Sequence, residues 1–243
     1  MGIKFHVLTI FPKIFDSYLN ESLIKRAREK KLIDIKIHNL RDFTKDKHKK
    51  VDDRPFGGGP GMVMGVQPIY YAVQSIQDGL IRANKRIRKS APGRAGKKAR
   101  VILFSLRGKK LDEKTAKRLS KYKELILICG RYEGVDERVA QYVADEEISI
   151  GDYVLAGGEL PALVLVEATS RFLPGFLGKF ESLESKKGSY VSYTRPPVFY
   201  PHGNSSSQKI SSESRRKRRE VWAVPKVLQS GNHAEIEKWR RVR

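Results

Sequence analysis

The 243-residue chain has a single cysteine, Cys129, and five scattered histidines. One cysteine cannot form an internal disulfide or a cysteine-rich zinc site, and the histidines lack the spacing of metal ligands. The longest apolar run near the middle, LPALVLV at 160–166, is too short to span a bilayer, and MGIKFHVLTIFPKIF lacks the layout of a signal peptide. These absences predict a reduced, cytoplasmic protein that binds neither a metal nor a membrane.

Acidic residues are scarce as well: 27 Asp and Glu stand against 49 Lys and Arg, which gives a net charge of +22. No acidic residue occurs between Gly79 and Leu111, where basic residues cluster, and a second basic block occupies 215–219. Both segments could be solvated loops. We favour the alternative, contact with the phosphates of RNA or DNA, which requires no particular base sequence.

Short apolar segments alternate with helical patterns along most of the chain, and this order is typical of an α/β fold with a parallel sheet covered by helices on both faces. We predict strands at 3–10, 33–40, 101–106 and 125–130, and helices at 11–31, 67–84, 111–120, 135–143 and 157–172. Residues 179–220 are polar and of low complexity, which favours a mobile linker. A short helix, HAEIEKWRRVR, follows it.

Two glycine-bearing loops are the most informative feature. Each follows an apolar strand and precedes a helix, in ILICGRYEGVDERV and in SIGDYVLAGGELPALVLV. Glycine lets backbone N–H and C=O groups approach a ligand without a Cβ in the way. Two such loops close together predict a cofactor pocket formed mainly by main chain.

The densest glycine cluster is VDDRPFGGGPGMVMG at 51–65, and it matches neither the P-loop nor the GxGxxG pattern. It could be a structural loop. We favour a substrate-facing loop, because so many glycines are entropically costly to order. Asp52, Asp53 and Arg54 beside Gly58 and Gly59 offer acceptors and a donor fork for the edge of a base.

The motifs VDDRPFGGGPGM, LICGRYEGVDERV, SIGDYVLAGGELPA, SRFLPG, YTRP and SGNHAEI occur in this order in the bacterial tRNA (guanine-N1)-methyltransferases, and the chain resembles that family over nearly its whole length. The resemblance implies methylation of guanosine 37, next to the anticodon of tRNA. It also implies a homodimer with its active site at the subunit interface. The expected domains are a SPOUT-type methyltransferase domain with a trefoil knot (1–178), a linker (179–220) and a small helical tRNA-binding domain (221–243).

The resemblance further implies that the two glycine loops are the knot, which binds S-adenosylmethionine (SAM) in a compact shape. A third wall would come from Ser105, Leu106 and Arg107, where the family often has Pro-Gln in place of Leu106-Arg107. The other residues implied to line the cofactor are Gly130, Arg131, Tyr132, Glu133, Ile150, Gly151, Asp152, Tyr153, Val154, Leu155, Gly157, Gly158 and Pro161.

The chemistry of guanine N1 requires two groups, because this nitrogen carries a proton and is a poor nucleophile until it loses it. A carboxylate can remove the proton, and a guanidinium at O6 can stabilise the developing charge. Arg171, in SRFLPG, matches the family's arginine, although a cation at a helix C-terminus can also simply favour the helix dipole. Glu184 is the expected base, with Glu181 as the alternative, because the stretch before YTRP contains no Asp.

Two departures from the family leave other functions open. Residues 201–220 resemble an insertion, and relatives typically continue beyond Arg243, so we expect the basic block at 215–219 to compensate for a shortened C-terminal domain. One alternative is another knotted methyltransferase, acting on ribosomal RNA or on a ribose 2′-hydroxyl. The other is an RNA-binding homologue that has lost catalysis, supported by the missing Asp and the short tail.

Overall fold

The computed structural model describes residues 2–90, 99–178, 191–201 and 221–241, without the side chains of 83–90 and 241. The chain divides into two compact units, Met1–Phe180 and Glu181–Arg243. Each unit is described by itself.

A five-stranded parallel sheet forms the centre of the first unit. Its strands are β1 (Ile3–Thr9), β2 (Ile33–Asn39), β5 (Arg100–Lys110), β6 (Glu124–Ile128) and β7 (Glu146–Ser149), and their order in the sheet is β2-β1-β6-β5-β7. A separate antiparallel pair is formed by β3 (Asp52–Asp53) and β4 (Val63–Met64). The α/β class with a parallel sheet is therefore confirmed.

Helices cover both faces of the sheet. They are α1 (Asp16–Leu19), α2 (Ser22–Glu29), α3 (Val66–Ser90), α4 (Glu113–Leu119), α5 (Glu137–Tyr142) and α6 (Glu159–Ser170). Side chains of β1 alternate between the faces: Phe5 and Val7 pack in the cluster that includes α2, α4 and α6, whereas Leu8 packs in the cluster that includes α3 and α5. This arrangement explains why the central strand β6 (ELILI) is apolar and buried over nearly its whole length, whereas the edge strand β2 (IDIKIHN) alternates.

Two predicted elements differ from the structure. The helix expected over 11–31 is interrupted: a 3-10 turn at Pro12–Phe15 precedes α1, and α2 begins at Ser22, whose φ is 52°. The strand expected at 101–106 continues to Lys110 through a bulge, because Phe104 and Lys109 both pair with Ile148. Residues 105–108, the β5 bulge, therefore project from the sheet.

The second unit contains an antiparallel pair, β8 (Val198–Phe199) with β9 (Trp222–Ala223), followed by α7 (Lys226–Gln229) and α8 (His233–Arg241). β8 lies within the segment that we predicted to be a linker, so part of that segment is paired. Residues 179–190 and 202–220 of the predicted linker lie outside the described residues. Within the described part of the chain, no helix combines the length and apolar character needed to cross a bilayer.

Candidate functional site

A cavity of about 460 Å³ lies at the C-terminal edge of β6, β5 and β7. This is the edge at which parallel α/β sheets bind ligands, because the loops that follow the strands meet there. Three segments form its walls: the β5 bulge with Leu103 and Phe104, the loop 130–135 after β6, and the segment 147–158 around the end of β7. The volume is typical of sites for small organic molecules.

All but one of the residues predicted to contact a cofactor line this cavity. The exception is Asp152, whose exposed carboxylate pairs with the Lys110 ammonium group instead. The structure therefore brings the predicted residues together, while their role in binding stays a prediction. They are Ser105, Leu106, Gly130, Arg131, Tyr132, Glu133, Ile150, Gly151, Tyr153, Val154, Leu155, Gly157, Gly158 and Pro161.

The two glycine loops contact each other through their main chains. The Gly158 N–H donates to the Gly130 carbonyl at 2.9 Å, and Arg131 and Gly157 form a β-bridge. A Cβ on Gly158 would lie 2.6 Å from the Cys129 Cα, so no larger residue fits there. We predicted that these glycines allow a ligand to approach the backbone. At position 158 the glycine instead allows the neighbouring loop to approach.

A buried carboxylate, Glu159, links the start of α6 to the first glycine loop by hydrogen bonding. It accepts hydrogen bonds from the Thr9 hydroxyl (2.7 Å) and from Arg131 Nε (2.9 Å), and its residue is 1% exposed. Sequence reasoning missed Glu159, although an acidic residue opening an otherwise apolar helix is a signal. Burial, and next the Glu159 carboxylate, raise the pKa of the Cys129 thiol, which therefore stays protonated and inert.

Two carboxylates at the cavity, Glu137 and Glu147, were also missed, whereas Arg107 was expected there. Arg107, on the β5 bulge, pairs with Glu137, in the first turn of α5, at 2.5 Å between Nη2 and Oε2. This hydrogen bond to Glu137 raises the pKa of Arg107. Glu147, on β7, lines the same cavity, and its Oε2 is buried without a hydrogen-bond partner among the described residues. The position of Arg107 depends on the bulge, which no sequence pattern predicted.

The residues predicted to face a substrate lie on the β3–β4 hairpin beside the cavity. Asp53 and Arg54 are exposed, and the Arg54 N–H donates to Asp53 Oδ1 at 2.8 Å. β4 is joined to the cavity loop, because the Glu133 N–H donates to the Met62 carbonyl and the Met64 N–H to the Gly134 carbonyl, both at 3.0 Å. Asp52, Asp53, Arg54, Gly58 and Gly59 are thus grouped in one hairpin, which adjoins the cavity without lining it.

Arg171, the predicted catalytic residue that the structure describes, does not line the cavity. Arg171 is half-buried and follows the last residue of α6, whose first turn lines the cavity with Pro161. Arg171 comes ten positions after Pro161, which corresponds to roughly 15 Å along the helix axis. Glu184 and Glu181 lie outside the described residues.

The second unit has a cavity of its own, of about 730 Å³. Its lining includes Tyr193, Thr194 and Arg195 of the YTRP motif and residues of α7 and α8, such as Leu228 and Ile236. The YTRP and SGNHAEI motifs, distant in the sequence, are therefore neighbours within this unit.

Comparison with known proteins gives consistent matches over the full chain. A family model described as tRNA (Guanine-1)-methyltransferase TrmD matches residues 3–243. Proteins named tRNA (guanine-N(1)-)-methyltransferase from Ruminiclostridium cellulolyticum and Geobacter metallireducens are 45% and 44% identical, over 98% of this chain and 89% and 85% of theirs. The crystal structure of tRNA (m1G37) methyltransferase from Aquifex aeolicus aligns with a TM-score of 0.69 at 35% identity, covering 98% of this chain and 88% of that one.

Proposed function

The chain belongs to the tRNA (guanine-1)-methyltransferase family, and from this premise we propose that it transfers a methyl group from SAM to N1 of guanine 37 of tRNA in the cytoplasm. The observation that carries the proposal is the cavity at the strand ends, whose walls are the segments expected to bind SAM. The net charge of +22 supports a nucleic-acid substrate.

The cavity residues fit SAM. The lining contains apolar side chains, among them Val154, Leu155 and Pro161, and these suit a neutral adenosine. Elsewhere it presents Arg107, Glu137 and the buried, unpartnered oxygen of Glu147, which suit a charged amino-acid group. Bound SAM supplies a methyl group on a sulfonium cation. We propose that the contacting loops around Gly130 and Gly158 form the trefoil knot of a SPOUT-type domain.

Two residues complete the proposed chemistry. The Glu184 carboxylate removes the N1 proton of guanine, with Glu181 as the alternative, and the Arg171 guanidinium stabilises the negative charge that develops on O6. Because α6 carries Arg171 roughly 15 Å from the cavity wall at Pro161, we propose that it acts at the cavity of a second copy of the chain.

The surface of α6 supports this homodimer. Leu160 and Val164 are exposed on α6, whereas Ala162, Leu163, Leu165 and Val166 of the same helix are buried in the core. Ile14 and Tyr18 are exposed too, and the Tyr18 hydroxyl donates to the Glu167 carboxylate, which places their segment beside α6. A helix that is apolar all round is normally covered on all sides. Leu160→Glu should give a monomer in sedimentation velocity and abolish methylation.

Substrate contacts are proposed at two places. The exposed hairpin with Asp53, Arg54 and Gly58 faces the target base, since it is hydrogen-bonded to the rim of the cavity. The helical C-terminal domain and the basic block at 215–219, which lies outside the described residues, bind tRNA phosphates. Deleting 215–219 should weaken tRNA binding and flatten its dependence on salt; an unchanged salt slope would contradict this contact.

The decisive assay is transfer of radiolabelled methyl from SAM to a tRNA transcript with guanine 37, beside a transcript with adenine at that position. We expect labelled 1-methylguanosine only in the first. Binding of tRNA without transfer would instead indicate a homologue that has lost catalysis, and label on a ribose would indicate a different knotted enzyme.

The base is tested by Glu184→Gln, with Glu181→Gln as the matched control. Glu184→Gln should abolish turnover while S-adenosylhomocysteine still binds, because the amide cannot accept the proton. Near-normal turnover of Glu184→Gln together with an inactive Glu181→Gln would transfer the role to Glu181.

A further inference from the structure

Two adjacent carboxylates of β7 have opposite surroundings. Glu146 is paired with two guanidinium groups, Arg100 Nε at 3.0 Å from Oε1 and Arg118 Nη2 at 2.7 Å from Oε2. Glu147 lines the cavity, and its buried Oε2 has no hydrogen-bond partner among the described residues. A buried, unpaired carboxylate oxygen is unfavourable unless a ligand donates to it. Glu147 therefore presents to the cavity an acceptor that the described residues leave unsatisfied.

The other charged groups of the cavity define what such a ligand carries. Arg107 lies close enough to Glu147 for their charges to interact, and it is paired with Glu137. Arg131, in contrast, is engaged by Glu159. Glu147, Glu137 and Arg107 thus offer acceptors for a cation and a donor fork for an anion at neighbouring points. A zwitterion with an ammonium and a carboxylate group on one carbon matches this set.

We propose that Glu147 accepts a hydrogen bond from the α-ammonium group of the amino-acid end of SAM, and that Arg107 binds the α-carboxylate of the same end. This assignment rests on the proposed function, since it names the part of SAM that these residues select. The apolar lining residues Val154, Leu155 and Pro161 are left for the adenosine. Glu147 and Arg107 are thereby specificity determinants that distinguish SAM and S-adenosylhomocysteine from nucleosides that lack the amino acid.

The test compares two ligands by isothermal titration calorimetry with the full chain. S-adenosylhomocysteine carries the amino-acid end, and 5′-methylthioadenosine lacks it. Glu147→Gln should weaken binding of S-adenosylhomocysteine roughly tenfold or more, because a charge-assisted hydrogen bond is lost. Its affinity for methylthioadenosine should stay within about twofold of the wild type, which also shows that the variant is folded. Arg107→Gln should show the same selective loss.

Glu146→Gln is the matched control, since it removes the neighbouring carboxylate of the same strand, whose partners Arg100 and Arg118 lie outside the cavity lining. In Glu146→Gln, the ratio of the affinity for S-adenosylhomocysteine to that for methylthioadenosine should equal the wild-type ratio. Unchanged S-adenosylhomocysteine binding in Glu147→Gln, or an equal loss for both ligands, would overturn the assignment while leaving the methyl donor in place. Failure of the wild type to bind either ligand would overturn the proposed function itself.

Discussion

The molecule uses glycine in two different ways in neighbouring regions. In the hairpin loop, Gly57, Gly58 and Gly59 have φ values of 84°, 82° and 121°, and a Cβ on Gly57 or Gly58 would meet nothing within 4 Å. At the cavity, Gly158 has an ordinary φ of −83°, but a Cβ there would collide with the backbone of Cys129. The first region requires glycine for its conformation, and the second requires it for space.

This difference indicates how each region is held in place. The cavity loops are fixed to each other by main-chain contact and by the buried Glu159. The hairpin loop is attached at Met62 and Met64, while Phe56 at its tip is 102% exposed. The cavity walls are therefore held by contacts within the protein, whereas the tip of the hairpin loop is exposed to solvent.

The largest effect is expected for Gly158→Ala. Because the obstructing atoms belong to the backbone, they cannot rotate away, and the two loops must separate. We expect a loss of roughly 3 kcal/mol of unfolding free energy and no detectable binding of S-adenosylhomocysteine, measured by urea unfolding and calorimetry. Normal binding would show that the loops tolerate separation, and the contrast between the two regions would fail.

Gly61→Ala is expected to have an intermediate effect, because Gly61 combines both requirements. Its φ is 77°, and a Cβ would lie 2.5 Å from Cγ of Glu133, a side chain that can move. The strain and the displaced side chain should together cost roughly 2 kcal/mol. Methylation of tRNA should fall more than S-adenosylhomocysteine affinity; a larger fall in the affinity would place Gly61 with the cavity rather than with the hairpin.

A loss of stability on acidification is expected from a site that belongs to neither region. His38 on β2 shares a hydrogen bond with His6 (3.0 Å), which in turn contacts Glu124 at 2.9 Å. Burial, then the charges of His6 and Lys36, lower the pKa of His38 from 6.5 to about 4. Below pH 6.5 His38 is protonated in the unfolded chain but stays neutral in the folded chain until about pH 4. The free energy of unfolding should therefore fall between pH 6.5 and pH 4, by roughly 1 kcal/mol after allowance for solvent screening.

His38→Gln provides the control for this prediction. Urea unfolding of the variant should show a shallower loss of stability over the same pH window. If the variant and the wild type lose stability in parallel, His38 is not the group that titrates.

The smallest loss of stability is expected for Gly58→Ala, because this substitution strains the backbone conformation without causing a steric clash. An alanine at a φ of 82° costs about 1 kcal/mol. S-adenosylhomocysteine should bind as in the wild type, while kcat/KM for tRNA falls severalfold because the loop is biased away from its bound shape. An equal loss in both measurements would mean that the hairpin and the cavity are one cooperative site.

The sequence predicted what depends on local pattern. Apolar runs such as LILICG located β1, β2 and β6 to within two residues. The residues that the family resemblance implied at the cofactor, except Asp152, all line the cavity. Charge composition pointed correctly to the class of partner implied by the family.

Features that depend on tertiary contact were not predictable. The β5 bulge occurs where RGKK gives no periodic signal, and only its pairing with β7 reveals that Arg107 stands near Glu147. Asp152 lies in the same motif as the lining residues, yet its side chain turns out toward Lys110. Glu146 has hydrogen-bond partners and Glu147 Oε2 has none among the described residues, because Arg100 and Arg118 lie beside Glu146. Strand periodicity alone does not predict this difference.

The pairing of β8 with β9 has a consequence for how this chain tolerates change in length. Val198 faces Ala223 and Phe199 faces Trp222, so the residues that flank the intervening segment lie side by side. Lengthening a segment whose ends are already held together is cheap, about 0.6 kcal/mol for each doubling. We therefore expect that residues or a fluorescent label can be inserted between positions 201 and 221. The β8–β9 pairing would keep the spacing of the elements on either side unchanged.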